Sequence, residues 1–198
     1  MNLYESKVFP SINDFLTKDF QDYRVELLKD ATGDVLEVGM GSGMMFGLYP
    51  SSVKNVCAID PNSGMLAKAR AKDCNNIKIL HGRAEQLSFE DNYFDTVVCF
   101  LVLCSVSDLD KSLKEIRRVL KKDGKLLFFE HIAHEKGTLR RGVSNLLNPL
   151  WKIGTCGCHL NRDTVVAMQN NGFLVDLIPF VKPISNLLPF ARGVGQII

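Results

Sequence analysis

Glu37-Val38-Gly39-Met40-Gly41-Ser42-Gly43 places an acid just before three glycines at alternate positions. Glycine permits φ above zero and lets a ligand approach the backbone closely. Two cofactor classes use such a turn. A dinucleotide calls for G-x-G-x-x-G, so that its pyrophosphate rests on a helix N-terminus. That spacing fails in both registers, because Met44 and Phe46 stand where the third glycine would be. The G-x-G-x-G spacing instead fits the loop that packs against the methionine part of S-adenosylmethionine, and Glu37 would suit that ligand's amino group. A structural glycine turn without a ligand is the plain alternative. Asp60 ends the next apolar run. Its carboxylate can accept both hydroxyls of a ribose or cap a helix. Met65, one helical turn further on, can cover an adenine face or serve as core. Glu85, in His81-Gly82-Arg83-Ala84-Glu85, stands where an adenine amino group would be read.

A second group of polar residues follows two later apolar runs. Cys104 and Ser105 come after one, and Glu130, His131 and His134 after the other. His131 has the ordinary pKa of a neutral-pH base, about 6.5. Glu130 could orient it or meet a cationic substrate. A polar pair satisfying loop backbone is the competing reading for both. Cys104 reads as buried filler. Cys156-Gly-Cys158-His159 invites a soft-metal hypothesis, but the cysteines are too cramped for a zinc knuckle. The expected number of metal sites is therefore zero. Arg162 reads either as a helix-start ion pair or as an anion contact.

The elements that would position these groups are legible. Apolar residues at helical spacing mark Ile12 to Leu28 as an amphipathic helix. Strands are expected at Asp34–Val38, Val56–Ile59, Ile77–Leu80, Phe94–Leu103 and Lys125–Glu130, the fourth apolar enough to be buried on both faces. Helices are expected after Asn62 and from Asp108 to Lys121, where Lys122-Asp123-Gly124 reads as a stop. Strands alternating with helices predict an α/β, doubly wound, mostly parallel sheet with helices on both faces. Ligands then bind beyond the carboxyl ends of the strands, where the polar residues above fall. Past Glu130 come a helix from Thr138 to Ile153 that Asn148-Pro149 interrupts, a helix from Thr164 to Asn171, a strand over Phe173–Ile178 and a final strand over Gly193–Ile198. The tail from Pro183 is apolar and broken by proline.

The 198 residues fit a single domain: a helical cap over about 1–30, a cofactor-binding core over 31–131, and a substrate-side cap with the final strands over 132–198. A net charge of +2 opposes an electrostatic nucleic-acid binder. The opening MNLYESKVFP shows neither a signal peptide nor an N-terminal anchor, and no apolar run is long enough to span a membrane. The six cysteines are expected to be reduced. From Lys136 to Arg162 there are five basic residues and no acid. Such a run is ordinarily a solvated surface, and an acidic substrate or an anionic membrane surface is the sharper reading; with Trp151 and the apolar tail it points to a greasy or amphipathic acceptor and a peripheral membrane contact. The expected location is the cytoplasm or a membrane surface.

Together, VLEVGMGSG, AIDPNSGML, GRAEQLSF, FDTVVCFLVLCSV and LKEIRRVLKKDGKLLFFEH resemble the class I S-adenosylmethionine-dependent methyltransferases, of Rossmann-like fold, from about Asp34 to Glu130. Their order and spacing are specific to the class, and their wording is closest to the type eleven group, which includes quinone-biosynthesis C-methyltransferases. With GCHLNRDT, the wording is similar to the methyltransferase-like seven thiol S-methyltransferases. The resemblance implies a sheet of seven strands, the last two antiparallel. It implies a cofactor site of Glu37, Gly39, Gly41, Asp60, Pro61, Met65, Ala84, Glu85, Phe100 and Leu101. S-adenosyl-L-homocysteine is then the product.

Methyl transfer from a sulfonium is an in-line displacement, so the protein mainly aligns donor and acceptor and excludes water. No catalytic triad is expected. The weak candidates for a base are His131 and Glu130. The lid is expected from Ile12–Leu28 and Thr138–Trp151. The reading is an S-adenosylmethionine-dependent methyltransferase acting on a small hydrophobic molecule. Alternatives are a non-catalytic protein that binds the same cofactor, a C-methyltransferase of a quinone-like lipid precursor, and a nucleotide-binding oxidoreductase. The acceptor atom and the oligomeric state are open, and no nucleic-acid acceptor is expected.

Overall fold

A computed structural model describes residues 3–72, 74, 76–180 and 188–198. Part of the expected apolar tail, 183–187, lies outside the described residues. Seven strands form one sheet in the order β3-β2-β1-β4-β5-β7-β6. They are β1 (Gly33–Val38), β2 (Val53–Asp60), β3 (Ile77–His81), β4 (Phe94–Phe100), β5 (Leu120–His131), β6 (Phe173–Leu177) and β7 (Phe190–Ile197). The first five are parallel, and β7 runs antiparallel to both neighbours. The strand order reverses at β1, between β2 and β4, which is the switch point where doubly wound sheets bind ligands.

Side chains along the central strands alternate between two cores, as a period of two requires. Leu126 and Phe128 join Val97, Cys99, Leu113, Ile116 and Met168 on one face. Leu127 and Phe129 join Val98, Phe100, Leu27 and Leu28 on the other. Helix α4 (Leu109–Val119) and helix α6 (Thr164–Asn170) cover the first face, and α2 (Gln21–Leu28) the second. Helix α3 (Ser63–Arg70) buries Leu66 and Ala69 against Ala58 and Met40.

Several boundaries differ from expectation, each for a local reason. β4 stops at Phe100 rather than Leu103, because Leu101 turns to φ 60°. β5 begins at Leu120, where Leu120 pairs with Phe94, so Lys122-Asp123-Gly124 lies within the strand. The N-terminal helix begins earlier. A π-turn over Tyr4–Val8 leads into α1 (Phe9–Thr17), and a 3₁₀ turn over Lys18–Phe20 separates α1 from α2. Helix α5 (Leu139–Gly154) continues through Pro149, and the Asn148 side chain just before it accepts from Leu160 N at 2.8 Å.

Phe129 is the hub of the second core. It is fully buried, stacks on Phe100 at 4.5 Å and 6°, and meets Phe20, Tyr23, Phe180 and Phe190. Phe129→Ala is expected to lower stability by about 3–5 kcal/mol, read from urea unfolding. A loss below about 1 kcal/mol would show that this cluster closes over the gap.

Candidate active site

The glycine turn leaves β1 in an unusual backbone conformation. Gly39, Gly41 and Gly43 have φ of 67°, 58° and 73°, in the region that disfavours side chains. A Cβ on Gly39 would overlap Val102, whereas one on Gly41 would meet only the Met65 sulfur, at 3.9 Å. Asp60, at the end of β2, fixes this turn. One carboxylate oxygen accepts from Gly41 N at 2.9 Å and the other from Asn62 N at 2.8 Å. Asn62 in turn caps α3, accepting from Gly64 N and Met65 N. Burial raises the Asp60 pKa, and the two backbone bonds act against that rise.

Glu37 is fully buried. One oxygen accepts from Tyr49 Oη at 2.6 Å, and the other has no hydrogen-bond partner among the described residues. The Arg24 guanidinium is buried too. It donates to Thr17 O at 2.8 Å, lies over the Phe100 ring at 4.6 Å and favours the Glu37 charge. The sequence reading missed Tyr49 and Arg24. Arg24 left a faint trace, an arginine between Phe20 and Leu27 on an apolar helix face. Tyr49 left none.

The N-terminal helical segment packs against this end. Ser42 Oγ donates to Asp14 at 2.6 Å, and Lys68 reaches the same carboxylate at 2.9 Å. Asn62 Nδ2 donates to Glu5 O at 2.8 Å. The Tyr4 hydroxyl donates to Gly154 O at 2.6 Å, joining this cover to α5. Glu85 accepts from Ser107 N at 2.8 Å and Asp108 N at 3.3 Å, linking the β3 and β4 loops. Ala84 is buried beside it in sequence, and Pro61 follows Asp60.

Beyond β4 the chain is held by a buried carboxylate. Glu130 accepts from Val102 N and Leu103 N on one oxygen and from Cys104 N on the other, at 2.9–3.0 Å. Arg162 takes the carbonyls of Leu103 and Val106, each at 2.8 Å. Among the described residues its bonds run to these carbonyls and to His159 Nε2, at 3.2 Å, rather than to the helix-start carboxylate of the first expected reading. His131 is only 3% exposed, with Nδ1 3.2 Å from His159 O. Glu130 and His131 are thus both enclosed and tied to backbone. Among the described residues no cluster of three or more His, Cys, Asp or Glu could hold a metal.

The residues fit an adenosine ligand with a cationic amino acid tail. The switch point carries a turn open above Gly41, an orphaned buried carboxylate oxygen on Glu37, and an acid at the β2 end. Residues 36–128 match the family profile described as a methyltransferase domain. Thiol S-methyltransferase TMT1B of Rattus norvegicus is 36% identical over 176 residues, 84% of this chain and 71% of the relative. The chain belongs to the S-adenosylmethionine-dependent methyltransferases. Human thiol S-methyltransferase TMT1A is 34% identical, over 70% of this chain and 59% of that protein. The solved YcgJ protein of Bacillus subtilis shares the fold at a TM-score of 0.69 and 23% identity, covering 82% of this chain and 71% of that one. The methyltransferase uses S-adenosylmethionine and transfers its methyl group to a small-molecule acceptor. An oxidoreductase or a non-catalytic binder is not favoured.

Burial raises the Glu37 and Glu130 carboxyls from 4.5 to about 7, against the Tyr49 bond in one and the peptide N–H bonds in the other. A folded pKa above the unfolded value means that the folded state holds protons the unfolded state has released. Stability therefore falls as pH rises from about 4.5 through about 7. The Tm of the cofactor-free methyltransferase is expected to drop across that window, and Glu37→Gln to flatten part of the slope. An unchanged slope in the variant would contradict the assignment.

Proposed function

We propose that the methyl acceptor is a small hydrophobic thiol, methylated on sulfur. The observation that carries this is the enclosure of Glu130 and His131, both tied to backbone and buried. With neither acid–base candidate facing an open site, the acceptor must ionise on its own. A thiol does so more readily than an alcohol or amine, with an ordinary pKa of about 8.5. The names of the relatives, thiol S-methyltransferases, point the same way. A quinol carbon acceptor, which has to lose a ring proton, fits the enclosed pair less well.

In this reading Glu37 takes the cofactor's ammonium and Asp60 its ribose hydroxyls, on lone pairs left over from the peptide bonds. Glu85 takes the adenine amino group, with Met65 against the ring. Gly39 and Gly41 give backbone access, and Pro61, Ala84, Phe100 and Leu101 complete the lining. The bound cofactor supplies an activated methyl group. The protein's own residues hold it in line with the acceptor and keep water out.

The same reading includes a peripheral contact with an anionic lipid surface. Leu139, Leu146, Leu150 and Ile153 lie along one face of α5 and are 72–85% exposed. Phe15 and Leu16 of α1, part of the apolar helical spacing, are 66% and 61% exposed. Lys136, Arg140 and Lys152 fall in or beside α5 without an acidic residue between Lys136 and Arg162. Apolar residues along one face with basic flanks suit an interfacial helix. Among the described residues no helix is long and apolar enough to cross a membrane.

Three measurements test these statements. Alkyl and aryl thiols should yield methyl thioethers, with a rate that follows the acceptor thiol's own pKa. Turnover of phenols or quinols alone would overturn the thiol assignment. Binding of S-adenosylmethionine should weaken about tenfold at one pH unit below the Glu37 pKa, because only the carboxylate form is competent, and Glu37→Gln should lose this dependence. Leu146→Glu with Leu150→Glu should cut sedimentation with anionic liposomes by about tenfold. Equal sedimentation of variant and wild type would remove the membrane contact.

A further inference from the structure

Two thiols meet beside the enclosed histidine. Cys158 Sγ lies 3.6 Å from Cys104 Sγ. Cys104 is 1% exposed and Cys158 is half-buried. Backbone on both sides pins the pair. Cys104 N donates to Glu130 at 3.0 Å, and Cys104 O accepts from His159 N at 2.9 Å. The turn before Cys158 is tight, with Cys156 at φ 52° and Gly157 at φ 120°. A Cβ on Gly157 would press on Ser105 O at 2.8 Å, so glycine is what lets this turn close on the β4 loop.

The surroundings of Cys158 are polarised. His131 Nε2 and Trp151 Nε1 are buried with no regular hydrogen-bond partner among the described residues, and both stand beside the Cys158 thiol. The Arg162 guanidinium acts on both sulfurs, and His159 and Glu130 complete the charged and titratable groups facing the pair. The Cys104 contact, then His131 and Trp151, hold the Cys158 thiol well below the ordinary range, while Cys104 is pushed well above it. A nucleophilic thiolate with solvent access beside a buried thiol of high pKa is the division of labour that thiol–disulfide exchange requires.

We propose that Cys158 and Cys104 form a redox-active dithiol that exchanges with small disulfides at the acceptor end of the site. The Cys158 thiolate attacks one sulfur of R–S–S–R. The S–S bond breaks, RS⁻ leaves with the electron pair, and Cys158–S–S–R remains. Cys104 gives its proton to the departing thiolate and attacks Cys158 Sγ, which expels the second RS⁻. The small disulfide gains two electrons and becomes two thiols, and the dithiol loses two and becomes a Cys104–Cys158 disulfide. Excess thiol reverses the sequence. The bridge would fasten the turn at 155–160 to the loop at 101–106. None of this depends on which methyl acceptor is used.

The test uses the full chain with oxidised glutathione, followed by alkylation, tryptic digestion and mass spectrometry. The expected product links peptide 84–111 to peptide 153–162. Each peptide holds two cysteines, so variants assign the bond. Cys156→Ser should keep the link. Cys158→Ser should lose it. Cys104→Ser should stop at a glutathione adduct on Cys158. In the untreated wild type, iodoacetamide at mildly acidic pH should label Cys158 about tenfold faster than Cys74. No link in wild-type protein that keeps its circular dichroism would overturn the proposal. So would a link that survives Cys158→Ser, or equal labelling of Cys158 and Cys74.

Discussion

The loop that leaves β4 in this methyltransferase depends on one buried carboxylate. Glu130 is fully enclosed, and three consecutive peptide N–H groups at the exit of β4 donate to it. Enclosing a charge costs several kcal/mol unless it is met by donors. Those donors come from a segment that has just left the sheet and has no strand partner for its N–H groups. Each side satisfies the other's need, so the turn at Leu101 and its exact path follow from the carboxylate. Arg162 does the complementary work on the same loop by taking two of its carbonyls. Between them, an acid from β5 and a base from before α6 replace the ladder that β4 gives up.

Asp60 repeats the device at the glycine turn. It ties the glycine turn to the start of α3 through two peptide N–H groups. The loops at the switch point are therefore braced by side chains from outside them, and two of these, Asp60 and Glu130, are rooted in strands. That suits a reaction in which the reagent carries the activated group and the protein supplies alignment. Glu37 stands apart. Among the described residues it has one donor, Tyr49, and one unmatched oxygen, which leaves it the carboxylate with most to gain from a cation.

The alternation of strands and helices, the glycine turn and the acid at the end of β2 were legible because each rests on local chemistry: apolar periodicity, positive φ and capping. What was not legible depended on partners far along the chain. β4 reads as apolar through Leu103, and nothing nearby says that Glu130, 27 residues on from Leu103, will draw the backbone out of the sheet. The same carboxylate looked like a candidate base because exposure cannot be read from a strand-end position. Ile12, Phe15 and Leu16 have helical spacing, yet spacing cannot say whether an apolar stripe meets the core or a surface. Pro149 read as an interruption, and α5 runs through it. The Cys104–Cys158 meeting joins residues 54 apart and left no pattern such as C-x-x-C.

The central claim is that the turn from Glu37 to Gly43, with Asp60, holds S-adenosylmethionine. Calorimetric titration of the purified protein with S-adenosylmethionine, S-adenosylhomocysteine and NAD tests it most directly. The account predicts micromolar binding of the first two, none of NAD, and loss of binding in Asp60→Ala that remains folded. Binding of NAD, or of none of the three by folded wild-type protein, would contradict it.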